Sequence, residues 1–196
     1  MNADPRVVRA IHLAVEAHGG QLRKDGRTPY VVHPLAVLRR LSAQLRVTDP
    51  ELLSASVLHD VLEDTKMPAE RIERELGEKV LEWVRELTLP PNVHGPGVPT
   101  ALKTEHLVVG LRSMSWEAVL VKLCDRWDNL EDTEVAPWTR RKTEEFFDQS
   151  ASMLEALRER RATSPEPTSM TEALDRGVDG VRTALTRGRA ALEHRA

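Results

Sequence analysis

Residues 59–64 read His-Asp-Val-Leu-Glu-Asp, near the end of an apolar run, LLSASVLHDVLEDT, that spans 52–65. An imidazole and three carboxylates within six residues cost free energy to place against a core unless a cation holds them. At helical spacing His59 stands one turn from Glu63, and Asp60 one turn from Asp64. Leu52, Leu53, Ala55, Val57, Leu58, Val61 and Leu62 leave little of such a helix for water, so a solvated acidic face is the weaker reading. A second acidic centre, KLCDRWDNLED (122–132), puts Asp125, Asp128, Asn129 and Asp132 on one helical face. A third candidate is His33, which Pro34 drives out of the helical region, so that its ring projects from a loop end. Two imidazoles and two carboxylates without a thiolate make a mixed N/O donor set. It suits a six-coordinate Mn²⁺ or Fe²⁺, or Zn²⁺ or Mg²⁺, with positions left for water and a phosphate oxygen. The residues point to divalent-metal phosphohydrolysis.

The chain that must gather these groups has 196 residues, with 28 basic and 31 acidic side chains for a net charge of −3. Such near balance argues against a general nucleic-acid or membrane-surface protein, while allowing a local basic pocket. Its single cysteine, Cys124, excludes an internal disulfide and a cysteine-built zinc site. No apolar run approaches the roughly 18 residues of a membrane span, and MNADPRVVRA has no signal-peptide core, so a cytoplasmic protein is expected. Helical signals dominate. Asp4 and Pro5 open a helix striped by Val7, Val8, Ile11, Ala14 and Val15, which ends on Gly19-Gly20. QLRKDGRTPYVVH reads as a polar loop, Pro34 begins a helix over 34–46, and Asp49 or Thr48 with Pro50 opens the helix bearing His59. Two helices meet at Gly77, and a Pro/Gly-rich loop covers 89–100. Helices follow in 101–114, in 115–135 capped by Ser115, in 137–162 and near 170–193, the last with Ser169 and Glu172 at capping-box spacing. Strand alternation and internal repeats are lacking. The expected fold is all-α: a helical bundle over 1–162, then a linker and C-terminal helical extension over 163–196.

Three words occur in order: AHGGQLRKDGRTPYVVHPLAV (17–37), SASVLHDVLEDT (54–65) and VLVKLCDRWDNLED (119–132). Together they resemble the HD-domain hydrolases, and more narrowly the Rel/Spo-type alarmone hydrolases, over residues 5–160. Since no synthetase domain follows, the chain is similar to the stand-alone small alarmone hydrolases of the metazoan SpoT type. The resemblance implies an HD-domain bundle that removes the 3′-pyrophosphate of (p)ppGpp, giving GDP or GTP and pyrophosphate. It assigns His33, His59, Asp60 and Asp125 to a metal, normally Mn²⁺, and gives Glu63 and Asp64 the attacking water. By the same resemblance Arg23 packs on the guanine ring, Lys24 lies near the phosphates, Asn129 contacts the sugar-phosphate and Lys103 matches a phosphate-contacting lysine. The implied partner is the small nucleotide ppGpp or pppGpp, with no nucleic acid and no membrane. A basic rim of Arg23, Lys24 and Arg27 suits such a polyanion. The chain departs from the family in three places. The loop from Arg23 to His33 is one residue longer than in many long Rel proteins. Asp128 replaces an aromatic or histidine, and VRELT (84–88) lacks the glycine and lysine of V-x-G-V-T-K. These departures bear on nucleobase preference more than on hydrolysis.

The remaining chemistry-bearing residues take structural readings. Cys124 is expected to be an inert buried thiol, and His12, His18 and His106 to serve packing. Trp83, Trp116, Trp127 and Trp138 read as core or edge residues, with Trp127 close enough to line the site. Rival functions are an HD hydrolase of (p)ppApp or an NADPH phosphatase, and a nucleotide-binding regulatory or antitoxin-like domain without turnover. A third is a metal-stabilised helical module with 170–193 as its interface. Glu63 and Asp64 favour turnover, because binding alone does not require them.

Overall fold

The computed structural model describes residues 4–95 and 97–194. Among them ten α-helices carry the fold; an isolated antiparallel bridge, Leu22 to Pro29, stands outside any strand. The helices are α1 (Pro5–Ala17), α2 (Val32–Arg39), α3 (Pro50–Leu58), α4 (Val61–Asp64) and α5 (Ala69–Leu76). The rest are α6 (Glu78–Leu87), α7 (Thr100–Ser113), α8 (Trp116–Glu131), α9 (Arg140–Thr163) and α10 (Thr171–Glu193). The helix starts follow the expected chemistry. Asp4 accepts from the Arg6 N–H at 2.8 Å, Asp49 from the Glu51 N–H at 2.8 Å, and the Ser115 hydroxyl from the Ala118 N–H at 3.2 Å. Each satisfies a backbone donor that the first turn leaves open. Gly77, at φ 95°, turns the chain between α5 and α6, a conformation that costs glycine least.

Helix α8 is the central element. Leu120, Leu123 and Cys124 are fully buried, alongside Leu58 and Val61 from the α3–α4 region and Leu13 from α1. Helix α10 lies along α8 as part of the same core: Leu174, Val181 and Leu185 are buried there, each contributing about 1.5–3 kcal/mol by leaving water. Its glycines allow the close approach. A methyl group on Gly180 would come within 2.2 Å of the Trp127 ring, so the helix backbone rests directly on the indole. Trp127 therefore packs against α10 instead of lining the site, and the 170–193 helix is a core element instead of an exposed interface.

Several local expectations are revised. The 54–65 segment is not one helix: α3 ends at Leu58, His59 and Asp60 form a turn, and α4 begins at Val61. Asp60 sits at φ −99° and ψ −6°, the sparsely populated bridge region. His33 belongs to the first turn of α2, because Pro34 is tolerated where no intrahelical N–H donor is needed. Helix α2 then widens into a π-helical segment, Arg40–Gln44. The Ser169 cap does not form; Thr168–Met170 is a 3₁₀ turn and Met170 takes the cap position.

Candidate metal centre and active site

Three pieces of chain meet beneath one surface. The first turn of α2 supplies His33, the α3–α4 turn supplies His59 and Asp60, and the middle of α8 supplies Asp125. His33 Nε2 lies 3.3 Å from Asp125 Oδ1 and 3.5 Å from Asp60 Oδ2. His59 Nε2 lies 3.1 Å from Asp60 Oδ2 and 3.8 Å from Asp125 Oδ1. The turn makes this possible, because neighbouring side chains on a regular helix diverge, whereas here His59 and Asp60 address the same point. Donor atoms bound side by side to one cation at about 2.1 Å stand about 3 Å apart, so this spacing fits a shared ion. His59 Nε2 is buried without a hydrogen-bond partner, an orphan that metal coordination resolves. His33, His59 and Asp60 form a candidate ion-binding group by geometry.

Each imidazole is oriented by its other nitrogen. His33 Nδ1 lies 2.7 Å from Asp128 Oδ2, and His59 Nδ1 lies 2.8 Å from the Ser56 carbonyl oxygen. Fixing Nδ1 as the donor presents Nε2 as the free lone pair, as a ligating histidine requires. With no cation bound, the facing carboxylates instead favour a proton on each ring, which an ion at this point would displace. Burial opposes charge on His33, yet the Asp125, Asp128 and Asp60 carboxylates outweigh it and raise its pKa to about 9. Burial likewise opposes charge on His59, but Asp60 and Asp125 raise it to about 10. The carboxyls of Asp60 and Asp125 lie well below their ordinary value: burial works against them, but the histidines, and for Asp125 also Lys122, prevail. Two carboxylates facing two imidazoles give the centre the negative charge that a cation site needs.

Glu63 and Asp64 sit on α4, next to this centre but turned differently. Burial raises both carboxyls above the usual range. Glu63 Oε2 accepts from the Leu89 N–H at 2.8 Å, and Glu63 Oε1 lies 2.6 Å from His94 Nδ1. Asp64 Oδ2 accepts from the Tyr30 hydroxyl at 3.0 Å, and the same hydroxyl lies 2.7 Å from Asp60 Oδ2. The four expected ligands thus come together, with the expected pair beside them.

The expected substrate contacts are more dispersed. Lys24 donates to Asn129 Oδ1 at 2.7 Å, and Asn129 in turn donates to Asp125, so these two residues reach the centre as a chain. Lys24 Nζ also lies 4.7 Å from the Trp138 ring, and its pKa is lowered to about 8, first by burial and then by Arg23. Arg23 is buried and closed in ion pairs with Asp132 and Asp128, which place its guanidinium in the floor of the site. Lys103 donates to the Gly95 carbonyl oxygen at 3.1 Å and tethers the 89–99 loop. Asp128 lies under His33, where it also accepts from Arg40 at 3.2 Å. The departure at this position therefore acts on a candidate ligand and not on a base pocket.

Sequence reasoning missed five contributors. Lys122 pairs with Asp125 Oδ2 at 3.0 Å, and its position one turn before Asp125 was a readable signal. Tyr30 was visible in YVVHP as the residue three before His33. Trp138 and Phe146, edge to face at 5.4 Å beside Lys24 and Arg126, gave no sequence signal because they arrive from a distant part of the chain, the segment before α9 and α9 itself. His94, in the Pro/Gly-rich loop, gave none either.

Comparison with known proteins agrees with this geometry. The HD domain family model matches residues 10–153. A zebrafish (Danio rerio) protein named guanosine-3′,5′-bis(diphosphate) 3′-pyrophosphohydrolase MESH1 is 32% identical over 176 residues, covering 88% of this chain and 94% of that protein. Its Xenopus tropicalis counterpart is 35% identical over 157 residues, covering 78% of this chain and 84% of that one. A solved structure described as a metazoan orthologue of SpoT that hydrolyses ppGpp superposes with a TM-score of 0.71 at 28% identity, covering 90% of this chain and 96% of the other. With the metal-ready cluster at the α3–α4 turn and relatives that match nearly end to end, the chain belongs to the HD-domain family, within the group that contains the MESH1 proteins.

Proposed function

We propose that this protein removes the 3′-pyrophosphate from ppGpp and pppGpp, leaving GDP or GTP. The observation that carries the reading is the convergence of His33, His59, Asp60 and Asp125 on one point beside Glu63 and Asp64. Those four residues would hold a divalent cation; their mixed imidazole–carboxylate set admits Mn²⁺, Fe²⁺, Zn²⁺ or Mg²⁺, and Mn²⁺ is our choice because it is the metal the resemblance to the alarmone hydrolases implies. When bound, the cation supplies Lewis-acid polarisation of a phosphoryl oxygen and acidifies water.

The remaining work belongs to the chain. The oxygen of the attacking water bonds to the phosphorus carried on the 3′ oxygen, and the bond between that phosphorus and the 3′ oxygen breaks. Glu63, whose carboxyl burial raises above its ordinary value, accepts the water's proton; Asp64, tied to the Tyr30 hydroxyl, fixes the water's approach. The 3′ oxygen takes a proton from solvent as it leaves as the 3′ hydroxyl, Glu63 returns its own proton to solvent, and pyrophosphate departs. Lys24 balances phosphate charge, Asn129 beside it offers its amide to the sugar-phosphate, and Lys103, held on the Gly95 carbonyl oxygen, is a further cation for the phosphates. Arg23 braces the floor through Asp132, while Trp138 and Phe146 offer the base an aromatic surface next to Lys24. Among the described residues no helix is long and apolar enough to cross a membrane, and a cytoplasmic site of action suits a nucleotide substrate.

Purified protein supplied with Mn²⁺ and ppGpp should release pyrophosphate and GDP in equal amounts. Orthophosphate as the sole product, or no turnover, would refute the reading. Parallel assays with ppApp and NADPH at equal concentration test base preference, and faster turnover of either would reassign the substrate. Asp60→Ala should abolish turnover in all three.

A further inference from the structure

The 89–99 loop makes a contact that neither the motif pattern nor the metal cluster requires. His94 reaches across it and sets both ring nitrogens against the α4 carboxylates: Nδ1 lies 2.6 Å from Glu63 Oε1, and Nε2 lies 3.5 Å from Asp64 Oδ1. The loop backbone holds the other oxygen of Glu63 through the Leu89 N–H at 2.8 Å. Both oxygens of the expected base are therefore positioned from one loop. Gly95 (φ 104°) and Gly97 (φ 90°) take positive-φ conformations that cost glycine least, and Lys103 anchors the Gly95 carbonyl. The three side chains also have the spacing of a cation-binding group. One ring cannot offer both nitrogens to a single ion, however, and here each nitrogen faces a different carboxylate. A hydrogen-bonding role fits this geometry better than a ligand role.

We infer that His94 is a positioning residue for hydrolysis: its Nδ1–H aims the Glu63 carboxylate at the attacking water. The inference rests on the hydrolytic reading of the site and adds to it a group from outside the HD words. An ionised carboxylate only accepts hydrogen bonds, so the ring donates through Nδ1, and the weaker 3.5 Å approach to Asp64 is secondary. A carboxylate held by two donors keeps lone pairs for a water molecule while losing its rotational freedom. Removing one donor should lower kcat and leave nucleotide binding intact, because His94 touches neither Lys24 nor Asn129.

The test compares isosteric variants in the full-length protein with Mn²⁺ and ppGpp, reading kcat, KM and melting temperature. Asparagine places its amide N–H where the imidazole Nδ1–H stood; glutamine places its own where Nε2 stood. His94→Asn should keep kcat within about threefold of wild type, whereas His94→Gln and His94→Ala should lose about 10–100-fold with KM changed less than about threefold, the size expected for misaimed proton transfer. In a Glu63→Gln background, His94→Ala should cost nothing further, since the two act as one unit. Wild-type kcat in His94→Ala overturns the inference. So does equal loss in His94→Asn and His94→Gln, or full additivity with Glu63→Gln, each of which would mark His94 as loop packing. If His94→Ala does not fold, the asparagine–glutamine contrast alone decides. Wild type that releases no pyrophosphate overturns the hydrolytic reading itself, an outcome distinct from these.

Discussion

Asp128→Ala should weaken divalent-cation binding while leaving the four candidate ligands in place. Asp128 Oδ2 lies 2.7 Å from His33 Nδ1 and fixes which nitrogen of that ring faces the centre. Its carboxyl is held below the ordinary value despite burial, chiefly by His33 and then by Arg40 and Arg23. Both arginines keep a partner when it is removed: Arg40 retains Glu131 at 2.6 Å, and Arg23 retains Asp132. The perturbation therefore falls mainly on His33. Losing the outer partner of a ligating histidine typically lowers metal affinity 10–100-fold, about 1.4–2.7 kcal/mol. At a cation concentration about 1,000 times the wild-type Kd, binding stabilises the fold by about 4.1 kcal/mol; the variant would keep about 2.7 after a tenfold loss and about 1.4 after a hundredfold loss. For a chain of this size 1 kcal/mol corresponds to about 2–4 °C, so the Mn²⁺-induced rise in Tm should shrink by about 3–11 °C. The assay is differential scanning fluorimetry across a Mn²⁺ titration, each variant referred to its own metal-free melting temperature. Asp132→Asn, which removes only the Arg23 partner, serves as the control and should follow wild type. Superimposable titrations for Asp128→Ala and wild type would refute the reasoning, as would an equal deficit in Asp132→Asn.

Lys24 should give substrate binding a pH dependence. Burial and Arg23 depress its pKa to about 8, so the ammonium that balances phosphate charge is lost as pH rises through that value; KM should climb above pH 8 toward tenfold per unit, and Lys24→Arg should flatten the profile. A KM profile that is unchanged in Lys24→Arg would exclude the residue from phosphate recognition. Gly180→Ala should lower stability by about 1–3 kcal/mol, because the added methyl meets the Trp127 ring at 2.2 Å; chemical denaturation measures it, and a neutral result would mean that α10 is not seated on α8. Cys124 is buried, and burial pushes its thiol far above the reactive range, so a thiol reagent should label it only after denaturation; labelling of the native protein would contradict the packing of α8.

How much of this was legible beforehand depends on the range of the interaction. Helix starts at Asp4, Asp49 and Ser115 were readable because capping is a matter of a few adjacent residues. The metal cluster was readable because His-Asp and the Asp125 face are unusual in apolar surroundings. The turn at His59–Asp60 was not: the apolar periodicity of 52–62 runs through it unbroken, and only the requirement that two neighbouring side chains meet one point exposes it. Arg23 read as part of a basic rim facing the substrate, and its burial depends on Asp132 and Asp128, which fold in from α8 and the turn after it. Helix α10 read as an appendage because its polar face is conspicuous in sequence, whereas the glycines that seat it on Trp127 and Phe147 carry no hydropathy signal. His94 lay in a segment whose prolines and glycines predict a loop and nothing about what the loop covers.

The four-residue length of α4 has a dynamic consequence. A single helical turn is well below the length at which a helix stands alone in water, and in this one Val61 alone is fully buried, with Leu62 partly buried against the core. Its order is borrowed from the Tyr30 hydroxyl, from Gln21 donating to the Asp64 carbonyl oxygen at 2.8 Å, and from the loop contacts to Glu63. His59 and Asp60, by contrast, are tied to α3 and to the core. Local opening of α4 would swing the two catalytic candidates away while the candidate metal ligands stay assembled. Metal occupancy and catalytic competence are then separate properties of the molecule. Amide exchange at Glu63 and Asp64 should run faster than at Leu58, and a fully metallated preparation can be inactive.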